Sequence, residues 1–107
     1  MNKILIIGGG AMGSAFSIPC LDNKNKVIIT EPYSKVFIKD LSSKNKFHSA
    51  LKITLPKKLN FRKFSKDLLK EKFDLIVIAL SLSGIDFIGK ELKNLKIKTP
   101  ILVLTKG

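Results

Sequence analysis

The sequence predicts an α/β domain, a doubly wound parallel sheet in the strand order 3-2-1-4-5, and three observations carry that prediction. Short β-branched runs at Ile4 to Ile7, Val27 to Thr30 and Leu75 to Leu80 are separated by stretches of helical spacing. Those runs lack polar alternation, so each reads as a strand covered on both faces, as strands of parallel sheets are. The first run stops at Gly8-Gly9-Gly10, a glycine turn leading into residues that can open a helix. Right-handed crossovers between parallel strands then set the order.

The first element is the most informative. Gly8, Gly10 and Gly13 fall on the spacing G-x-G-x-x-G, directly after a strand and before a helix opening at Ala11 to Phe16. In a Rossmann-type domain the first glycine permits the tight turn, the second lets backbone approach a pyrophosphate, and the third lets helix and strand pack closely. Unpaired N–H groups at the helix start, around Ala11 and Met12, face such a phosphate. A dinucleotide is the expected ligand. Pro19 would lie inside this helix, where a proline removes a hydrogen bond and crowds the preceding turn, so a kink or an early end is expected there.

A turn at Asp22 to Asn25 returns the chain to the second strand, which ends at Glu31, 18 positions after Gly13. An acid at that place binds the hydroxyls of the adenosine ribose. Pro32 stands where an arginine would receive a ribose phosphate, which favours NAD over NADP. Ser34 can cap a short helix over Lys35 to Leu41 with Val36, Phe37 and Leu41 turned inward. After a polar turn at Ser42 to Lys46, the alternating character of Ala50 to Leu55 predicts a short third strand near Leu51 to Ile53, ended by Pro56.

Arg62 to Lys72 reads as a surface helix with Phe64, Leu68 and Leu69 as its buried stripe. Leu75 to Leu80 follows as the strongest strand. Ser81-Leu82-Ser83-Gly84 leads to a helix over Ile85 to Leu95 that buries Ile85, Ile88 and Leu92. Thr99-Pro100 opens the last strand, Ile101 to Leu104. In this topology ligands bind at the carboxyl ends of strands one and four, where the order reverses. Gly8 to Gly13, Ser81 to Gly84 and Lys106 all belong to that edge.

Composition narrows the classes further. With 107 residues the chain has room for one domain, residues 1–107. No stretch approaches the ~20 apolar residues of a membrane span. An N-terminal secretory signal is disfavoured by the glycines that interrupt the apolar run and by Pro19. Cys20 is the only cysteine and His48 the only histidine, which excludes an internal disulfide and a multi-histidine metal site. A lone cysteine suits the cytoplasm. The formal charge of +12 raises nucleic acid as a partner. Arg62 is the only arginine, however, and the lysines are spread among acids, which provides poorly for base readout. They read as solvated faces whose field attracts an anionic cofactor or a phosphorylated substrate.

Four segments resemble the N-terminal domain of NAD(P)-dependent glycerol-3-phosphate dehydrogenases: Gly8 to Ala15, Leu51 to Pro56, Asp74 to Ala79 and Leu104 to Gly107. The motif, the acid and the sheet edge together give a dinucleotide site built from Gly8, Gly10, Ala11, Met12, Gly13, Glu31 and Ser81, in keeping with this resemblance. The resemblance also implies that Lys106 contacts both the cofactor and the substrate phosphate. The whole enzyme would interconvert dihydroxyacetone phosphate and sn-glycerol 3-phosphate in glycerophospholipid metabolism. The family's catalytic lysine lies in a C-terminal helical domain, so no catalytic residue is expected within this chain, and a missing domain or second chain is the expected partner. A homodimer is compatible with this reading. Ser81 departs from the proline common after the fourth strand. Ketopantoate reductases share the opening loop but usually carry Gln-Asn-Gly where this chain has Thr105-Lys106-Gly107. A stand-alone NAD-binding module without catalysis and a basic nucleic-acid-binding domain are the readings from other classes.

Overall fold

The computed structural model describes residues 1–105. Its elements, in order, are β1 (Lys3–Ile7), α1 (Ala11–Asp22), β2 (Lys26–Thr30), α2 (Lys35–Ser42), β3 (Phe47–His48) and β4 (Ile53–Thr54). They continue with β5 (Asn60–Phe61), α3 (Lys66–Lys70), β6 (Leu75–Ile78), α4 (Leu82–Asn94) and β7 (Ile101–Val103). The main sheet runs β5-β2-β1-β6-β7 with every neighbouring pair parallel. Counted by its own strands this is the expected 3-2-1-4-5, a Rossmann-type sheet.

Successive residues of the central strands divide between two cores, which is why these strands are apolar without a break. Ile4, Ile6, Val27, Ile29 and Val77 pack with Cys20, Leu41, Leu55 and Leu59. Leu5, Ile7, Ile28, Ile76 and Ile78 pack with Leu68, Leu69, Phe73, Ile88 and Leu92. Burying each such side chain stabilises the fold by about 1.5–3 kcal/mol relative to exposure. In register, Ile7 lies beside Thr30 on one flank and Ile78 on the other, so the carboxyl ends of β1, β2 and β6 finish level with one another.

Several sequence expectations need correction. The third strand of the sheet is Asn60–Phe61, not Leu51 to Ile53. Ile53 and Thr54 instead pair antiparallel with Phe47 and His48 in a separate hairpin. A turn closed by Leu59 N–H to the Pro56 carbonyl (3.1 Å) redirects the chain, and fully buried Leu59 anchors the two-residue strand that follows. Helix α1 continues through Pro19 to Asp22. Ala15, whose carbonyl loses its amide partner to the proline, is exposed, so water can take the bond. Val36 is exposed and Ile38 shares the inner side of α2 with Phe37 and Leu41. Helix α3 is shorter than Arg62 to Lys72, because the Arg62 N–H extends the ladder to Ile29 (3.0 Å) and Ser65 caps the helix only afterwards. Helix α4 begins at Leu82, three residues before Ile85, with Ser81 as its N-cap. Among the described residues no helix is long and apolar enough to cross a membrane.

Candidate dinucleotide site

A cleft of about 670 Å³ opens at the carboxyl ends of β1 and β6, within the range of small-molecule sites. Gly10, Ala11, Met12, Glu31 and Ser81 line it, so five of the residues singled out from the sequence meet in one place. Gly8 and Gly13 do not line it. They shape the turn beneath. Gly8 has φ +125°, a conformation that favours glycine, and a Cβ there would overlap the Ala79 carbonyl. A Cβ on Gly13 would overlap the Gly8 carbonyl, so its absence lets α1 sit directly on the turn. Lys106 lies outside the described residues.

The four helices differ at their N-termini in a way that bears on the ligand. Ser34 Oγ accepts the Phe37 N–H at the start of α2 (3.3 Å), and Ser65 Oγ accepts the Leu68 N–H at the start of α3 (3.1 Å). The N-caps of α1 and α4, Gly10 and Ser81, make no such side-chain bond. Ser34 also borders the cleft, but its helix start is already capped, so among the described residues α1 and α4 are the helices that bring uncapped N-termini to it. Their first amide groups carry partial positive charge and are left to solvent or an anion.

Glu31 is buried and bonded on both oxygens. Oε1 accepts the Gly9 N–H at 2.7 Å, while Oε2 accepts the N–H groups of Tyr33 and Ser34 at 2.9 and 3.0 Å. An ionised carboxylate has about four lone-pair sites, so three backbone donors leave one for a ligand hydroxyl. Tyr33, edge-on to Phe87 at 6.4 Å between centroids, has its hydroxyl pKa raised, first by partial burial and then by the charge of Glu31.

Sequence reasoning missed four participants. Phe37, which the sequence pattern turns inward with Val36 and Leu41, lines the cleft together with Tyr33. His48 is fully buried and reaches the glycine turn: its Nε2 lies 2.8 Å from the Gly9 carbonyl. Ser14 Oγ donates to the same carbonyl at 3.0 Å. No local pattern signals His48, because it acts across 39 residues.

Comparison with known proteins matches residues 3–107 to the family model described as NAD-dependent glycerol-3-phosphate dehydrogenase N-terminus. No curated protein matches by sequence. Among solved structures, glycerol-3-phosphate dehydrogenase from Coxiella burnetii is similar with a TM-score of 0.75 and 23% identity, over 99% of this chain and 33% of that one. D-mandelate dehydrogenase, solved with NADH and anilino(oxo)acetate, has a TM-score of 0.68 and 22% identity over 98% of this chain and 34% of that one. A 2-dehydropantoate 2-reductase from Methylococcus capsulatus has a TM-score of 0.61 and 22% identity, over 98% and 34% of the respective chains. The chain thus spans about a third of the length of these proteins. Their substrates differ while the fold is shared, so the likeness speaks for the fold.

Proposed function

The chain belongs to the family of NAD-dependent glycerol-3-phosphate dehydrogenase N-termini, and from that premise we propose that it is the cofactor-binding portion of an oxidoreductase that interconverts dihydroxyacetone phosphate and sn-glycerol 3-phosphate. The single observation that carries the binding part is the pair of helix N-termini, α1 and α4, both without side-chain caps and both on one cleft. In this reading the amides of Gly10, Ala11 and Met12 receive the pyrophosphate, with Gly8 and Gly13 keeping the turn tight enough to present them. The open lone pair of Glu31 accepts a ribose hydroxyl. A ribose phosphate in the same place would meet a buried carboxylate, and this repulsion supports NAD over NADP. Ser81, the N-cap of α4 on the same cleft, is assigned to the side of the reacting ring, and Lys106 is proposed to reach the substrate phosphate.

When bound, NADH supplies the hydride. The residues here bind and orient it; holding a carbonyl carbon against it while excluding water is a positional effect of up to ~7–11 kcal/mol. One open cleft on a sheet edge does not provide that, and it falls to further residues of the whole protein. The alternative, a binding module without turnover, has the same cleft and differs only in lacking them.

Calorimetric titration of the chain with NADH and NADPH tests the proposal, with Gly10→Val as the control. A Cβ added there meets only the Phe37 ring, nearest at 3.3 Å, and no backbone, so the variant is expected to fold, which circular dichroism checks. NADH is expected to bind more tightly than NADPH and to lose at least about tenfold in affinity in Gly10→Val, or ~1.4 kcal/mol. A folded chain that binds neither nucleotide overturns the reading. Turnover of dihydroxyacetone phosphate by the whole protein separates the enzyme from the module.

A further inference from the structure

We propose that His48 is a positioning residue of the nucleotide site, holding the Gly9–Gly10 peptide in the orientation that presents the Gly10 N–H to a phosphate; this rests on the dinucleotide reading above. The hairpin β3–β4 is a separate two-stranded sheet that contributes no strand to the main one. It nevertheless delivers His48 to the turn between β1 and α1. The Leu51 N–H donates to His48 Nδ1 at 3.2 Å, which makes Nδ1 the acceptor and leaves the proton on Nε2. Nε2–H therefore donates to the Gly9 carbonyl at 2.8 Å. The ring is stacked on Phe37, with centroids 5.1 Å apart and planes 19° from parallel, so its aim is fixed by packing as well as by the Leu51 bond.

The consequence for the turn follows from peptide geometry. A planar trans peptide points its C=O and N–H in opposite directions. Gly9 O, drawn inward by His48 Nε2–H and Ser14 Oγ–H, turns the Gly10 N–H outward, to the side where Gly10 borders the cleft. On the preceding peptide, the Gly9 N–H is held by Glu31 Oε1 at 2.7 Å. Glycine has no side chain to restrict this segment, so a peptide flip must be prevented by such bonds. His48 supplies the one that comes from outside the β1–α1–β2 unit.

Two replacements separate positioning from mere support of the hairpin. In His48→Gln the side-chain amide reaches the place of Nε2 and can still donate to Gly9. In His48→Asn the shorter amide reaches only the place of Nδ1, keeping an acceptor for Leu51 but losing Gly9. NADH affinity by calorimetry is expected to fall about five- to tenfold in His48→Asn, the worth of one hydrogen bond, and to stay within about twofold in His48→Gln. Amide hydrogen exchange without nucleotide should quicken at Gly9, whose N–H is held by Glu31, in His48→Asn only. Equal losses in both variants, or wild-type binding and exchange in His48→Asn, overturn the proposal. Should His48→Asn fail to fold, His48→Gln carries the test alone: a change of more than about twofold in NADH affinity or in exchange at Gly9 in that variant overturns the proposal. A wild-type chain that binds no dinucleotide defeats the ligand reading, while the exchange pattern still decides whether His48 holds the peptide.

Discussion

The glycine turn and the outer strand β7 are both short backbone segments beside the cleft, and they are held in opposite ways. At the turn, the Gly8 N–H donates to the Thr30 carbonyl at 2.8 Å and the Gly9 N–H to Glu31, while Gly9 O accepts from Ser14 and His48. The donors and acceptors come from β2, α1 and the hairpin, so three elements fix one loop. Strand β7 pairs with β6 alone, and its Ile101, Leu102 and Val103 remain 44%, 39% and 42% exposed. A segment without Cβ atoms needs many bonds to have a single shape, whereas an apolar strand takes its shape from one ladder. The turn is therefore over-determined and chemically specific, and the edge is neither.

Replacement at each region should give the largest contrast. Gly8→Ala combines a strained φ with overlap on the Ala79 carbonyl, and is expected to cost about 3 kcal/mol or more in urea unfolding. Val103→Ala removes two half-exposed methyl groups and should cost about 1 kcal/mol or less. Similar losses in the two variants would break the comparison, since the turn would then be no more constrained than the edge.

A smaller effect concerns the hairpin that carries His48. Asp40 Oδ2 on α2 accepts both the N–H and the Oγ–H of Ser49, at 2.9 and 2.7 Å, and these bonds hold the Asp40 carboxyl below the usual aspartate range. A carboxyl whose pKa is lowered by folding contributes stability above its unfolded pKa, and that contribution is lost as pH falls through the folded value. The group is on the surface, so solvent screening keeps the contribution small. Thermal melts from pH 6 downward, on the order of one unit per step, should show Asp40→Asn losing less stability with acid than wild type. Parallel curves would mean that Ser49 does not anchor the hairpin through Asp40.

What could be read from the sequence follows the range of the interactions. Strands β1, β2 and β6 were legible because each contains an unbroken apolar run, and Gly8 to Gly13 because motif and turn are contiguous. Their meeting with Ser81 followed from topology alone. The strand Asn60–Phe61 was not legible: two residues carry no period, and its position depends on the Pro56 turn and on Leu59 reaching the core. Helix α1 continues past Pro19 where Ala15, the residue whose carbonyl loses its partner, is exposed, a fact about packing that local propensity does not contain. His48 was invisible for the same reason as Asn60, since its partner, Gly9, is close only after folding. The expectation for Glu31 was a ribose ligand. Its three bonds to backbone N–H groups add an organising role that spacing alone does not imply.

The smallest effect on stability, and the sharpest test of the edge, is expected from Leu102→Lys. The outer side of β7 pairs with no other strand among the described residues, and it presents three apolar side chains in a row. Such an edge is a template for pairing with another strand, and lysine on it opposes that pairing by charge. Because Leu102 is already 39% exposed, the long stem of lysine can lie along the surface with its ammonium in water, and monomer stability should change by about 1 kcal/mol or less. Sedimentation velocity should show concentration-dependent association of the wild-type chain that is reduced in Leu102→Lys, with NADH affinity unaltered because Leu102 does not line the cleft. A loss of nucleotide affinity would instead tie β7 to the turn, and the two regions would have to be treated as one cooperative site.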